Sequence, residues 1–480
     1  MKYLLYGAAL LLFMACKSDL GSLNTDPKGI YTAEAETFFS HAQKSLSDYL
    51  NRIGTGASAT ENKNVFRHFA QHITAVTYME VSNYYIADAG VPDFMWATMY
   101  RDVLNNLNKS YQIIADRIQN GEAESGVDRN QLALIEVLNV YTISLLIDTF
   151  GNIPYSESLD IDNVQPVYDD AFDVYKDLFV RLDNAISSMD SQMGSFGSAD
   201  LIYQGAVGKW LKFANSIKLR LGMRIADYDA SLSANMVGEA IPHVFSANDD
   251  NALFAYLDSP PNTNPLWLSL VQSKRMFYVG TDAIIGRMNA LNDPRLHAYF
   301  TPMGDGSFKG GVYGIVQPYE ASSHLGVKYF DPKLPGILMD YAAVEFLLAE
   351  ACERGLYASN PQTHYNNAIR ASFDYHGVSG VDEYLAQTSV DYGASSPDWK
   401  EKIGTQKWLA LFNQSHEAWI EYRRLDFPSL SAPPDALVES VPTRFIYPIS
   451  EQTLNGLNYK AAASAIGGDQ LNVKIFWDIH

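Results

Sequence analysis

Apolar positions recur along this chain at spacings of three and four. Tyr168, Phe172, Tyr175, Leu178, Phe179, Leu182, Ile186 and Met189 mark one face of a helix over 167–189. Asp169, Asp170 and Asp173 crowd its first turns, where the helix dipole favours negative charge. Residues 128–149 are apolar almost all round, from Leu132 and Leu134 through Ile143, Leu145 and Leu146, so the pattern predicts a central helix. Gly151-Asn152-Ile153-Pro154 stops it. The same periodicity predicts helices over 33–53, 63–80, 93–119, 204–227, 231–240, 337–356, 361–376 and 398–424.

Between these segments lie 190–203, 248–280, 300–336 and 428–480, rich in Gly, Pro, Asn and Ser. Loops of that length inside a compact domain usually carry function. The pairs 93–119 with 128–149, and 337–356 with 361–376, read as helix–turn–helix units. Their spacing is loosely that of tetratricopeptide repeats, roughly 34 residues each, without a strict solenoid period. The expected fold class is therefore mainly all-α: a tetratricopeptide-like scaffold with long irregular loops, forming a single domain over 31–480.

The start of the chain is different. Lys2 precedes an apolar run of 13 residues, Tyr3–Ala15. That is short of the roughly 20 residues a spanning helix needs. It has the form of an export signal. Leu12-Phe13-Met14-Ala15-Cys16 resembles a bacterial lipobox, which would place a signal peptide at 1–15, a lipid on Cys16 and a tether over 16–30. An ordinary signal with an incidental cysteine is the alternative. No later segment is expected to reach spanning length.

Composition narrows the function. Of 480 residues, 35 are basic and 55 acidic, a formal charge of −20. Phosphate recognition needs clustered Lys and Arg, so nucleic acid is excluded as a partner. Two cysteines, Cys16 and Cys352, make neither a disulfide framework nor a zinc site. There is no phosphate-binding G-x-x-x-x-G-K-[ST], no G-x-S-x-G, no H-E-x-x-H and no C-x-x-C. No metal or cofactor is expected. Glu345, Glu350 and Glu353 share one predicted helix and are conceivable as a glycosidase pair, but salt-bridging is the simpler role.

Several blocks then occur in a fixed order. They are Leu23-Asn24-Thr25-Asp26-Pro27, Asp148-Thr149-Phe150-Gly151-Asn152-Ile153-Pro154-Tyr155, the helix from Trp210 through Phe213-Ala214-Asn215-Ser216 to Leu221, and Asp293-Pro294-Arg295-Leu296. They continue with Leu338–Ala351, Gln406-Lys407-Trp408, Glu417-Ala418-Trp419, Tyr422-Arg423-Arg424, Tyr447-Pro448, and Phe476-Trp477-Asp478. Together with the lipobox, this ordered set resembles the SusD/RagB family, SusD-like subgroup, of nutrient-binding outer-membrane lipoproteins. Ala343 stands where that family often has Glu, and Phe476 where it has a first Trp. Trp210, Phe213 and Leu221 beside Arg220 and Arg224 read as core aromatics with paired arginines. Arg423 and Arg424 beside Glu417 and Glu421 read as pairing on a helix surface, worth little individually.

The resemblance implies binding rather than bond breaking. It implies a lipid-anchored protein facing outwards from the outer membrane, handing oligosaccharide or peptide to a SusC-like TonB-dependent transporter. A surface glycan-cleaving enzyme and a protein-binding helical-repeat scaffold are the alternatives. Sugars present C–H faces and hydroxyl edges, which match aromatic rings and amides or carboxylates. Rings outside helical periodicity are therefore the binding candidates. One group is Tyr78, Asn83, Tyr84, Tyr85 and Asp88, running on to Asp93, Phe94 and Trp96. A second is Asn262, Asn264 and Trp267, with Phe277 and Tyr278. A third is Tyr313, Gln317 and Tyr319.

Overall fold

Helix α1 (Ala35–Asn51) buries Phe39, Ala42, Leu46, Tyr49 and Leu50, the stripe its spacing predicts. The chain is described by a computed structural model over residues 33–53, 64–122, 125–394 and 396–480. The expected signal peptide, Cys16 and the whole of the expected tether lie outside the described residues. Ala35–His480 is one compact unit.

After α1 come the single turn α2 (Phe66–Phe69) and strand β1 (Ile73–Ala75). Helix α3 (Val91–Ala97) continues through a π-helical turn, Thr98–Leu104, into α4 (Asn105–Gln119). Next are α5 (Ser125–Phe150), α6 (Ala171–Ser188), α7 (Val207–Arg224) and α8 (Ala230–Ala240). Each packs on its predecessor, which is the tetratricopeptide-like part of the scaffold. Asp170 caps α6 by accepting from the Phe172 and Asp173 amides at 2.9 and 3.1 Å.

The second half alternates loops with helices. Strands β2 (Ala252–Phe254) and β3 (Tyr278–Gly280) precede α9 (Asp282–Ala290). Strand β4 (Gly336–Met339) leads into α10 (Tyr341–Glu353), followed by α11 (Pro361–His376), α12 (Trp399–Ala410) and α13 (Ser415–Leu425). The strands form two antiparallel pairs, β1 with β3 and β2 with β4. The fold is all-α in its bulk, as expected.

Three helix boundaries differ from expectation. The predicted helix over 63–80 survives only as α2. Beyond it Ile73, Thr74 and Ala75 pair with Gly280, Val279 and Tyr278, and Gln71 turns the chain through a positive φ of 51°. Here a pairing more than 200 residues away along the chain overrides the local period. The 337–356 segment starts as β4, and Asp340 then caps α10 by accepting from the Ala343 amide at 2.8 Å. The 398–424 segment breaks at Leu411–Gln414 into α12 and α13.

The all-apolar pattern of α5 has its reason in burial. Gly126–Phe150 is long and apolar enough to cross a membrane, contrary to the expectation for later segments, but 83% of its most apolar stretch is buried within the fold. One charged network crosses the interior beside it. Arg224 pairs with Asp148 and Glu417, and Arg424 pairs with Glu350 and Glu421. Lys407 lies 2.9 Å from Glu421, and the Trp477 indole donates to Asp148 at 2.9 Å. Arg423 lies over the rings of Trp419 and Trp477, 3.7 and 4.7 Å from their centroids. All of these side chains are buried. The surface reading of Arg423 and Arg424 is thus corrected: both are interior, Arg424 pairing buried carboxylates and Arg423 donating to the backbone carbonyls of Thr443 and Asp148. Glu345 is hydrogen-bonded to His364 at 2.7 Å, and Glu350 is salt-bridged to Arg354 and Arg424.

Candidate functional site

The β1–β3 pair gathers three loops at one place. Val76 continues the pairing, its amide donating to Phe277 O at 2.8 Å, and the Gln317 amide donates to Val76 O at 3.1 Å. Gly311 bonds Gly280 and Asp282, and Leu437 N donates to Asn83 O at 2.9 Å. The segments 76–88, 276–278 and 311–324 therefore converge, with 430–438 behind them.

A tight turn shapes the first of these. Asn83 N donates to Met79 O and Tyr85 N to Glu80 O, at 2.8 and 2.7 Å. Tyr84 takes a left-handed backbone, φ 70°, which is unusual for a bulky residue. Its ring is fully buried, edge-on to Phe69 at 5.5 Å and 6.4 Å from Tyr313. Tyr85 is consequently turned outward, 37% exposed. Tyr78, at the start of the turn, is 57% exposed and stands edge-on to Phe277 at 5.5 Å. Tyr319 is half-buried and stacks on His324, with centroids 3.7 Å apart. Burial, with Glu320 beside it, pushes the Tyr319 hydroxyl up to about 12.

The structure divides the predicted residues. Tyr78, Tyr85, Asp88 and Tyr319 reach the surface, with Phe277 half-buried. Tyr84, Tyr278 and Tyr313 form the buried layer beneath, and the Tyr313 hydroxyl donates to His68 O at 2.7 Å. They support the surface and are not themselves presented to a ligand. Gln317 is consumed within its own loop, bonding Val312 N and O at 3.1 and 2.9 Å. Asn83 is buried against Gly314.

Other predicted residues leave the site altogether. Trp96 is a core ring, 5.0 Å from both Tyr100 and Phe150. Phe94 stacks on Tyr49, and Asp93 accepts from Ile449 N and Ser450 N at 3.1 and 3.0 Å. Asn264 is a buried cap: it accepts from Leu266 N at 2.7 Å and donates to Leu334 O at 2.6 Å. It caps the helical turn Pro265–Trp267, which packs on α1 and on the 327–330 turn rather than on the converging loops. Trp267 is half-buried there, and Asn262 has an exposed side chain while its backbone closes the 257–262 loop. Sequence reasoning missed Met276, Val312, Val316 and Leu437, exposed apolar side chains on the same loops. No periodicity marks them, since each points outward only because its loop is pinned at both ends.

The arrangement is a surface of exposed and half-exposed rings over a rigid aromatic layer. It offers flat apolar faces with the Asp88 carboxylate nearby in sequence, and it brings together no nucleophile and base. A family model described as "Starch-binding associating with outer membrane", SusD-like, matches residues 27–448. The chain belongs to the SusD-like family. Solved structures agree with that SusD-like membership. A chitin-binding protein is 25% identical, with a TM-score of 0.78 over 93% of this chain and 100% of its own. A SusD homologue from Bacteroides uniformis is 24% identical, with a TM-score of 0.79 over 92% of this chain and 99% of its own. A chitin-binding SusD homologue from Flavobacterium johnsoniae is 24% identical, with a TM-score of 0.76 over 92% and 99%. No curated protein matches the chain significantly. The SusD-like motif blocks, read at first as structural, have that place in the fold. Asp148, Arg220, Glu350, Glu417, Arg424 and Trp477 come from them and meet in the buried network, together with Arg224 and Glu421.

Proposed function

We propose that this SusD-like protein captures a neutral oligosaccharide at the cell surface, on the rings of Tyr78, Tyr85, Phe277 and Tyr319, and passes it to a SusC-like TonB-dependent outer-membrane transporter. The observation that carries this reading is the paired fate of Tyr84 and Tyr85. A buried ring in strained backbone holds an exposed ring outward at the meeting point of three loops. A lone surface tyrosine needs no explanation; one held out this way beside Tyr78 does. The family's description as starch-binding and the chitin-binding neighbours support the ligand class. Lipid on Cys16 would hold the domain at the outer membrane, facing outwards.

A protein partner is supported by a second surface. Ile161, Val164 and Leu457 are 90%, 80% and 85% exposed. The loop carrying Ile161 and Val164 is bound to the helical segment carrying Leu457, Gln165 donating to Leu454 O at 2.9 Å and Asn458 to Pro166 O at 3.1 Å. Large aliphatic side chains held rigidly in water favour a covering partner. Calorimetry with starch- and chitin-derived oligosaccharides tests the capture step, with product analysis of the same mixtures for cleavage. Saturable binding without cleavage is expected. Release of shorter products would favour a surface enzyme.

A further inference from the structure

A cavity of about 720 Å³ opens between α4, α5, α6 and the 153–159 loop, on elements other than those of the ring-bearing loops. Its volume is that of a small-molecule site, not of a flat protein interface. The floor is apolar: Leu104, Leu132, Ala133, Ile143, Ile153 and Ala185. The walls carry three tyrosines, and two of them are fixed by their hydroxyls. Tyr100 donates to Pro154 O at 2.6 Å, and Tyr155 donates to Asp177 while accepting from Arg181 at 2.7 Å. Tyr111 stands 44% exposed at the rim.

The polar groups sort into two kinds. Glu136 is held by Arg181 through both of its oxygens and also accepts from Asn139 at 3.2 Å. Glu136 and Arg181 form one ion pair in the lining, and the Asp177 carboxylate is joined to it through the Tyr155 hydroxyl. The amides of Asn108 and Asn184 make no hydrogen bond among the described residues, although both face the cavity. An amide donates and accepts at once, which is what a vicinal hydroxyl pair requires. Oriented rings, an apolar floor and free amides select a polyhydroxylated ring, and the Asp177 carboxylate behind Tyr155 selects against phosphates and carboxylates.

We infer that this cavity is a second carbohydrate site, taking one to three neutral sugar units against Tyr111, Tyr155, Asn108 and Asn184. The choice of saccharides as probes rests on the function proposed above; the placement of the site does not.

The test is calorimetry of the mature protein with neutral di- and trisaccharides of gluco, chito, manno and xylo configuration. Three forms are compared: wild type, the loop variant Tyr78→Ala/Tyr85→Ala, and the cavity variant Asn108→Ala/Asn184→Ala. The cavity substitutions lie on partly or fully exposed helix positions, and thermal melts check that the fold persists. The loop variant is expected to keep the cavity's binding, and the cavity variant to show that component weakened at least tenfold while keeping the loops' own. If the cavity variant loses all binding and the loop variant none, the second site stands and the loop site falls. Loss of all binding in the loop variant overturns the second site and leaves the loop site standing. Residual binding indifferent to the cavity variant, or no binding of any probe to wild type, also overturns it.

Discussion

Tyr84 and Tyr85 are neighbours of one type with opposite environments, and their substitutions should separate cleanly. Tyr84→Ala removes a fully buried ring and should cost about 3–5 kcal/mol of stability, by the usual price of deleting a core aromatic. Tyr85→Ala, alone or with Tyr78→Ala, should leave the melting temperature within a few degrees of wild type. It should weaken oligosaccharide affinity by about 1–3 kcal/mol. Calorimetry and thermal melts on the same preparations decide it. Unchanged affinity in the Tyr78/Tyr85 double variant would remove the loops as the site. From sequence, Tyr84 and Tyr85 look alike, and both fit a ring offered to ligand. What separates them is Phe69 and Tyr313 closing over one ring, and neither contact has a local signature.

At the scale of elements, the buried ion network ties α5, α7, α10, α12 and α13 together. Arg424 bridges Glu350 and Glu421, neither of which reaches solvent, and Arg354 and Lys407 are their remaining cationic partners. Arg424→Met keeps the volume and removes one cation from each of two buried carboxylates, leaving Glu350 to Arg354 and Glu421 to Lys407, so it should cost about 3–5 kcal/mol in urea denaturation. A loss under about 1 kcal/mol would show the network to be slack. The helices themselves were largely legible, because burying one face of a helix writes a three-and-four period into the chain. The period cannot distinguish a helix from a segment captured by a distant strand. That is why 63–80 became a turn and a strand, with β-branched Ile73 and Thr74 opposite β3. It also cannot place a charge. Arg423 and Arg424 carry the signature of a solvated face and lie in the interior because Glu350 and Trp477 come from elsewhere to meet them.

For the whole molecule, buried histidines set the response to acid. Burial, with Arg67 beside them, lowers His68 and His72 from 6.5 to about 3, and burial holds His376 and His416 well below their ordinary value. The unfolded chain therefore takes up protons near pH 6.5 that the folded chain refuses. Stability is complete above pH 6.5 and falls as the pH drops towards 3, by up to roughly 1.4 kcal/mol per pH unit for each histidine. Asp340, raised to about 6 by burial, acts in the opposite sense between pH 6 and 4 and offsets part of one histidine. Denaturation midpoints at pH 7.5, 6 and 5 should fall in that order; a constant midpoint would show the histidines to be accessible. Attachment is also a property of the whole chain. The one described helix apolar enough to span a membrane is folded into the core, so Cys16→Ser should move the protein to the soluble fraction after a high-salt wash. Continued sedimentation with membranes would sink the lipid anchor.

The sequence by itself determined the helical class, the approximate extent of most helices and, through the order of its motif blocks, the family. Each of these is written in local spacing or linear order. Tertiary structure alone decided which rings face water, which arginines are interior and where the loops converge. Those outcomes depend on pairs such as Ala75 with Tyr278, Asn83 with Leu437 and Arg424 with Glu350. Burial is a relation between segments far apart in the chain, and no single segment carries it.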